Sequence, residues 1–305
     1  MEYDVIIIGG GPGGLSAGLW CDDLGLNAML LEAEDELGGQ LLWTHNVVEN
    51  HLGLMRAENG REMRDLFLKQ TENRSFIRRL GAEVVDLDVE EKTVRLAGGQ
   101  TLSGRALIVA TGIRRRKLNI AGEDEFRGKG VLRSGKLDRK AVRERRVVVA
   151  GGGDAALENA LILAETARRV FLVHRREAFR ARPEFVKRVR ETPNIETLTE
   201  MNLTGIIGRE LVEKVELTVA GTGEKRILAV EAVLVRVGVE PNTGLLRGKV
   251  ELDEKGYVRV DHLGKTSVRG IYAVGDAANP LAPTVSSAVG MGAAAVKSIY
   301  SWLTS

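Results

Sequence analysis

Val5-Ile6-Ile7-Ile8-Gly9-Gly10-Gly11-Pro12-Gly13-Gly14 is the stretch on which the fold turns. Asp4 to Ile8 is an apolar run of strand-forming residues, and Leu15 to Leu24 has the composition of a helix. Between them stands G-x-G-x-x-G: Gly9 makes the tight turn, Gly11 lets the backbone approach a pyrophosphate, and Gly14 lets helix pack on strand, with Pro12 and Gly13 in the arc. The helix N-terminus adds free N–H groups and the positive end of its dipole. A second strand, Asn27 to Leu31, ends at Glu32, 18 residues past Gly14, where an acid accepts hydrogen bonds from a ribose hydroxyl. A bare glycine-rich turn would not need this order of strand, helix, strand and acid.

The pattern recurs. The strand Arg146 to Ala150 precedes Gly151-Gly152-Gly153, and the apolar helix Asp154 to Ala167 follows, giving G-x-G-x-x-A with Asp154 and Ala155 opening the helix and Ala156 closing the motif. The next strand, Val170 to Val173, ends in His174-Arg175-Arg176, with Arg180 four residues on. Guanidinium forks suit a 2′-phosphate where an acid would repel it, so the dinucleotide expected here is NADP; a solvated basic face is the other reading. Two weaker signals are Arg105 to Gly112, a strand running into Ala110-Thr111-Gly112, and Gly270 to Asp276, followed by a Pro-bounded loop and a small-residue helix from Thr284.

Composition bounds the rest. A chain of 305 residues suggests two domains, and 44% hydrophobic with 28% charged residues supports a real core. No apolar run is long enough to span a bilayer, and the chain opens almost directly into its first strand without a basic, cleavable leader, so a soluble cytoplasmic protein is expected. One cysteine, Cys21, excludes an intrachain disulfide, a dithiol centre and a multi-thiolate metal site; it reads as a small buried hydrophobe, with a reactive thiol as the alternative, and no metal is expected. Scattered arginines among few aromatics speak against nucleic acid.

These residues resemble, over essentially the whole chain, the low-molecular-weight thioredoxin reductase-like group of FAD and NAD(P)H flavoproteins. The match rests on Gly9 to Gly14, Gly38-Gly39-Gln40, Val48-Glu49-Asn50, Ala110-Thr111-Gly112, Gly151 to Ala156, the His174, Arg175, Arg176 and Arg180 set, and Gly275-Asp276. The resemblance implies an α/β fold of two Rossmann-like dinucleotide-binding domains in three-layer β/β/α arrangement. An NADP domain, 117–243, would be inserted into a discontinuous FAD domain, 1–116 and 244–305, with crossings at Arg114 to Ile120 and Val239 to Gly244 and a hinge supported by Gly238, Pro241 and Gly244. It further implies FAD contacts at Glu32, Gly39, Gln40, Asn50, Val89, Ala110, Thr111, Gly112, Asp276, Thr284 and Val285, NADP(H) contacts at Gly151, Gly153, Asp154, Ala155 and the basic set, and a homodimer. Thr284 and Ser286 read equally as helix caps. His45 and His51 flank the presumed flavin loop, as structural residues or in a redox or proton-transfer role.

One departure alters the expected chemistry. Laid against the family without a gap, the two positions of its redox-active Cys-x-x-Cys are Ser134 and Leu137, and Asp138 matches the acid beside the dithiol. What the resemblance leaves is hydride transfer from NADPH to FAD with no catalytic side chain, then direct transfer to an external acceptor. Residues 114–190 hold 22 Lys and Arg against 10 Asp and Glu, while the rest of the chain holds 22 against 32. That surplus would steer an acidic carrier, as in a ferredoxin- or flavodoxin-NADP reductase, although the C-terminal extension typical of that group is missing. A small disulfide, quinone or dioxygen is the competing acceptor, and an FAD/NADP-binding sensor or partner subunit is the reading outside enzymes.

Overall fold

The computed structural model describes residues 2–305. The chain divides into two compact units, one of residues 1–114 and 240–305 and the other Arg115–Val239.

The first unit begins with β1 (Glu2–Ile8), α1 (Pro12–Asp23) and β2 (Ala28–Leu31), a parallel β-α-β unit in which Val5 pairs with Ala28 and Ile8 with Leu31. Then come α2 (Gly60–Thr71), β3 (Ile77–Arg79), β4 (Val84–Asp88), β5 (Thr93–Leu96) and the long β6 (Thr101–Val109), and β7 (Ile113–Arg115) carries the chain across the boundary into the second unit. The sheet order is β3-β2-β1-β6-β5-β4. Alternation along β1 explains the layers, since successive side chains of a strand leave on opposite faces. Val5 and Ile7 enter a core with α1 residues Leu15, Ala17 and Cys21 and with Ala295, Val296 and Ile299. Ile6 and Ile8 enter a second core with Val84 and Leu87 of β4 and Val94 and Leu96 of β5.

The second unit contains α3 (Gly135–Asp138), β8 (Arg146–Gly151), α4 (Asp154–Ala164), β9 (Arg169–Val173), α5 (Pro183–Glu191), β10 (Ile195–Leu198), the antiparallel β11 (Met201–Gly208), β12 (Val212–Val219) and β13 (Lys225–Ala229), and β14 (Ala232–Arg236). Its parallel sheet runs β10-β9-β8-β14, with the three antiparallel strands as a separate sheet. Val147 and Val149 face α4 and α5, while Val148 and Ala150 face β11 and β12. Strand β15 (Val239–Pro241) pairs with β7, so the two crossings of the chain run as one ribbon.

The chain closes with β16 (Ile271–Ala273), parallel to β6, and the 20-residue α6 (Val285–Thr304). Helices α1 and α6 approach closely because Gly292 carries no side chain: a β-carbon there would sit 2.5 Å from the Gly13 carbonyl oxygen. Ser16 Oγ donates to the Val289 carbonyl across the same contact at 2.7 Å. Among the described residues no helix is long and apolar enough to cross a membrane.

Candidate dinucleotide sites

In the first unit β1 ends at Ile8 and α1 starts at Pro12, with Gly11 at the N-cap and no side chain capping the helix. The first-turn N–H groups of α1 are therefore left for a ligand. The three motif glycines do different work. Gly9 has φ +110°, and a β-carbon on it would lie 2.5 Å from the Ala110 carbonyl oxygen. At Gly14 a β-carbon would lie 1.9 Å from the Gly9 oxygen, whereas at Gly11 the nearest atom is the Gly39 Cα at 3.9 Å. The loop is thus closed against its own unit at both ends and open at its middle, which fits a pyrophosphate.

Glu32 ties this loop down: one carboxylate oxygen accepts from Gly10 N–H at 2.7 Å, the other from Glu34 N–H at 3.0 Å. Gly39, beside Gly11, opens a short 3₁₀ turn, and the Gln40 side-chain amide donates to the Ile113 carbonyl. Thr111 and Asn242 lock reciprocally, Thr111 Oγ1 donating to the Asn242 carbonyl at 2.7 Å and Asn242 Nδ2 to the Thr111 carbonyl at 2.9 Å. Asn242 also donates its N–H to the Gly112 carbonyl. Sequence reading missed Asn242; its signal was a polar residue within the second crossing, between Pro241 and Gly244.

Asp276 lies half-buried in the turn Gly275–Ala277, and its carboxylate has no hydrogen-bond partner among the described residues. Burial raises its pKa above the usual carboxylate value. Such a group is satisfied by hydroxyl donors, which fits a polyol chain. Thr284 N-caps α6 just before Val285 in a capping box with Ser287, so its hydroxyl is already engaged. His51 Nδ1 lies 2.9 Å from Ser286 Oγ and its ring stands edge-on to Phe67, a structural setting, while Asn50 is exposed. Val89 falls in the turn between β4 and β5 and packs against the core. Cys21 is buried, and burial together with the Asp4 charge pushes its thiol up to about 12, so it is inert at neutral pH.

The second unit repeats the loop. Gly153 N-caps α4 without a side-chain cap and has nothing near its missing β-carbon, while Gly151 would strike the Arg236 carbonyl oxygen at 2.2 Å. A β-carbon on Gly152 would meet the His174 ring at 2.2 Å. His174 is buried, stacks on Phe179 and donates from Nε2 to the Ala178 carbonyl at 3.2 Å; burial and the nearby Arg180, Arg176 and Arg175 charges lower its pKa. It props the loop as a neutral ring. Arg175, Arg176 and Arg180 are exposed and form no ion pair among the described residues, and Arg180 N–H donates to the Gly152 carbonyl at 2.8 Å. Asp154 instead holds Arg182 through both carboxylate oxygens at 2.8 Å, and the Ala155 carbonyl accepts from Asn159 Nδ2.

Ser134 and Leu137 occupy the short helix α3. Ser134 is its N-cap, buried, with Oγ accepting from Leu137 N–H at 3.5 Å, and Leu137 is half-exposed. Asp138 reaches back to accept from the N–H groups of Arg133 and Ser134 at 2.6 and 2.9 Å, and Asn159 Oδ1 accepts from Gly135 N–H at 2.7 Å. Asp138 thus serves as a cap on the turn that leads into α3. Some of the cations of residues 114–190 are paired: Lys117 and Arg127 with Asp124, Arg139 with Glu165, and, with acids beyond that stretch, Arg169 with Glu196 and Lys187 with Glu191. Among the described residues no cluster of three or more His, Cys, Asp or Glu could hold a metal ion.

The profile of the pyridine nucleotide-disulphide oxidoreductase family matches residues 3–292. The chain is 37% identical over 303 residues to a thioredoxin reductase of Mycolicibacterium smegmatis, covering 99% of this chain and 96% of that protein. Crystal structures of thioredoxin reductase from Lactococcus lactis (FR conformation) and from T. acidophilum superpose with TM-scores of 0.86 and 0.83 at 29% and 30% identity, covering 99% and 100% of this chain and 99% of each of theirs. The chain therefore belongs to the pyridine nucleotide-disulphide oxidoreductase family, as a thioredoxin reductase-like flavoprotein oxidoreductase whose family cofactors are FAD and NADPH.

Proposed function

We propose that this protein passes electrons from NADPH through FAD directly to an external acceptor, without a dithiol relay. The observation that carries the reading is the pair Ser134 and Leu137: one side chain caps a helix, the other is a hydrocarbon, and the chain's single cysteine is buried on another unit. Bound FAD supplies hydride acceptance and onward electron delivery, so the chain's own residues bind and orient rather than react.

In this reading the α1 N-terminus and Gly11 hold the FAD pyrophosphate, with Gly9, Pro12, Gly13 and Gly14 shaping the loop. Glu32 accepts from the adenosine ribose, and Asp276 accepts from the ribityl hydroxyls that its unpartnered carboxylate lacks. Gly39, Gln40, Asn50, Ala110, Thr111 and Gly112 border the ring system. The N–H groups at Val285, after the Thr284 cap, place positive dipole toward negative charge. In the second unit Gly153, Asp154 and Ala155 form the phosphate loop, and Arg175, Arg176 and Arg180 grip the 2′-phosphate.

Anaerobic mixing with NADPH or NADH, followed at the flavin absorbance band, tests this. NADPH bleaches the flavin and NADH does so poorly. The bleached protein is then reoxidised by a small disulfide, a quinone, air, ferredoxin or flavodoxin. Failure of NADPH to bleach the flavin sinks the enzyme reading, and reduction of thioredoxin at a rate matching the best small acceptor sinks the direct route. If ferredoxin and flavodoxin react no faster than air, steering by the basic unit is wrong.

A further inference from the structure

The second unit carries two guanidinium groups that neither glycine loop accounts for. Arg115 Nη1 and Arg236 Nη2 both donate to the carbonyl oxygen of Arg133, at 2.5 and 2.6 Å, and Arg236 Nη1 donates to its neighbour's carbonyl, Val235, at 2.8 Å. Neither pairs with a carboxylate among the described residues. Two like charges meeting at one neutral carbonyl repel, and the Asp138 carboxylate, which is held by the Arg133 and Ser134 N–H groups, attracts Arg236 less than Arg115 repels it, so a further anion is still favoured there. Desolvation and the Arg115 charge bring the Arg236 pKa down to about 10, and desolvation lowers that of Arg115 although the residue as a whole stays exposed. Both groups remain cations at neutral pH.

Their place in the sheet says what kind of anion fits. Arg236 is the last residue of β14 and pairs in register with Gly151, so its backbone abuts the phosphate loop. In the order β10-β9-β8-β14, Arg175 and Arg176 follow β9 on one side of β8, and Arg236 ends β14 on the other. A dinucleotide lying across the carboxyl ends of such a sheet puts its adenosine half toward β9 and its other half toward β14. The carbonyl on which the two arginines converge belongs to the residue before Ser134, the first position of the missing dithiol.

We propose that Arg115 and Arg236 form a second oxyanion site, beside the Ser134–Asp138 turn, for a phosphate or carboxylate group. The anion belongs either to the half of the dinucleotide beyond the adenosine or to an acidic small-molecule acceptor. Only the choice between these sources rests on the function proposed above; the site itself is tested without turnover.

The FAD-loaded protein, saturated with 2′,5′-ADP to engage Arg175, Arg176 and Arg180, is titrated with inorganic sulfate and followed by thermal denaturation. The site predicts sulfate binding that is about tenfold weaker in Arg115→Gln/Arg236→Gln. Sulfate response unchanged within about twofold overturns it and leaves the arginines as backbone clamps. Should the double variant fail to fold, the unaltered protein is treated with phenylglyoxal and mapped by mass spectrometry: sulfate shields Arg115 and Arg236 if the site exists, and equal modification with and without sulfate overturns it. NADPH that shields Arg236 where 2′,5′-ADP does not assigns the anion to the dinucleotide. Shielding by a carboxylate-bearing disulfide or quinone alone assigns it to the acceptor. Loss of flavin bleaching by NADPH in the unaltered protein would defeat the proposed function while leaving the sulfate result standing.

Discussion

The loop at Gly9–Gly14 and the loop at Gly151–Ala156 use the same backbone device but distribute its duties differently. In both, the middle glycine of the first three leans on the residue that follows the second strand. Gly10 donates its N–H to the Glu32 carboxylate, and Gly152 lies against the His174 ring. In the first unit that one residue supports the loop and, in the proposed function, also accepts from the ribose. In the second the support falls to a buried neutral histidine, and in the proposed function ligand charge is left to the exposed Arg175, Arg176 and Arg180, which form no ion pair among the described residues. Support and recognition are fused in one loop and separated in the other, so substitutions should separate them too.

The largest effect is expected at the closing residue of each motif. Gly14→Ala drives a β-carbon to within 1.9 Å of the Gly9 oxygen, while the second loop already has Ala156 there, buried. Gly14→Ala is expected to lose about 3 kcal/mol of stability and most of the bound flavin. Ala156→Gly should cost about 1 kcal/mol and leave NADPH binding in place. Denaturant unfolding with absorbance at the flavin band distinguishes them, and equal losses in the two variants would contradict the asymmetry.

The next effect concerns the separated duties. Arg175→Gln/Arg176→Gln should weaken NADPH binding about 10- to 100-fold, since each charge-assisted hydrogen bond carries about 1.5–3 kcal/mol, with NADH binding and thermal stability unchanged. His174→Ala should do the reverse, lowering stability by about 2 kcal/mol through the cavity beneath Gly152. A fall in melting temperature in the arginine variant would show that those side chains support the fold after all. In the first unit Glu32→Gln should lower both stability and flavin retention, because there the duties coincide.

Both loops were legible because strand, glycine spacing and helix are local, and so was the sign of charge after each second strand. The role of His174 was not: sequence groups it with the arginines, and only packing reveals that its ring sits under Gly152 and stacks on Phe179. Thr111 and Asn242 were equally hidden, being 131 positions apart yet hydrogen-bonded in both directions. The basic surplus of residues 114–190 was visible, but which cations are neutralised depends on partners such as Glu165 and Glu196 that no spacing announces. Arg236 had a sequence signal, a charge ending the apolar run Ala232–Val235, but its convergence with Arg115 needed the fold.

The smallest expected effect is a difference in how the two units respond to acid. His174 has a pKa below its ordinary value of 6.5, so the folded second unit holds it neutral while the unfolded chain takes up a proton as pH falls past that value. Its contribution to stability is therefore present above about 6.5 and lost as pH drops toward the lowered folded value, with a slope no steeper than about 1.4 kcal/mol per pH unit. Asp276 in the first unit runs the other way. Burial raises its pKa, so its contribution is present below the usual carboxylate value of 3.8 and lost as pH rises through the raised folded value, until hydroxyl donors satisfy it. Flavin-free protein taken from pH 7 to pH 5.5 should lose stability through the second unit alone, and His174→Gln should flatten that loss without altering the response of Asp276→Asn. Hydrogen exchange resolved by peptide reads the two units separately, and a pH-dependent loss confined to the first unit would reverse the assignment.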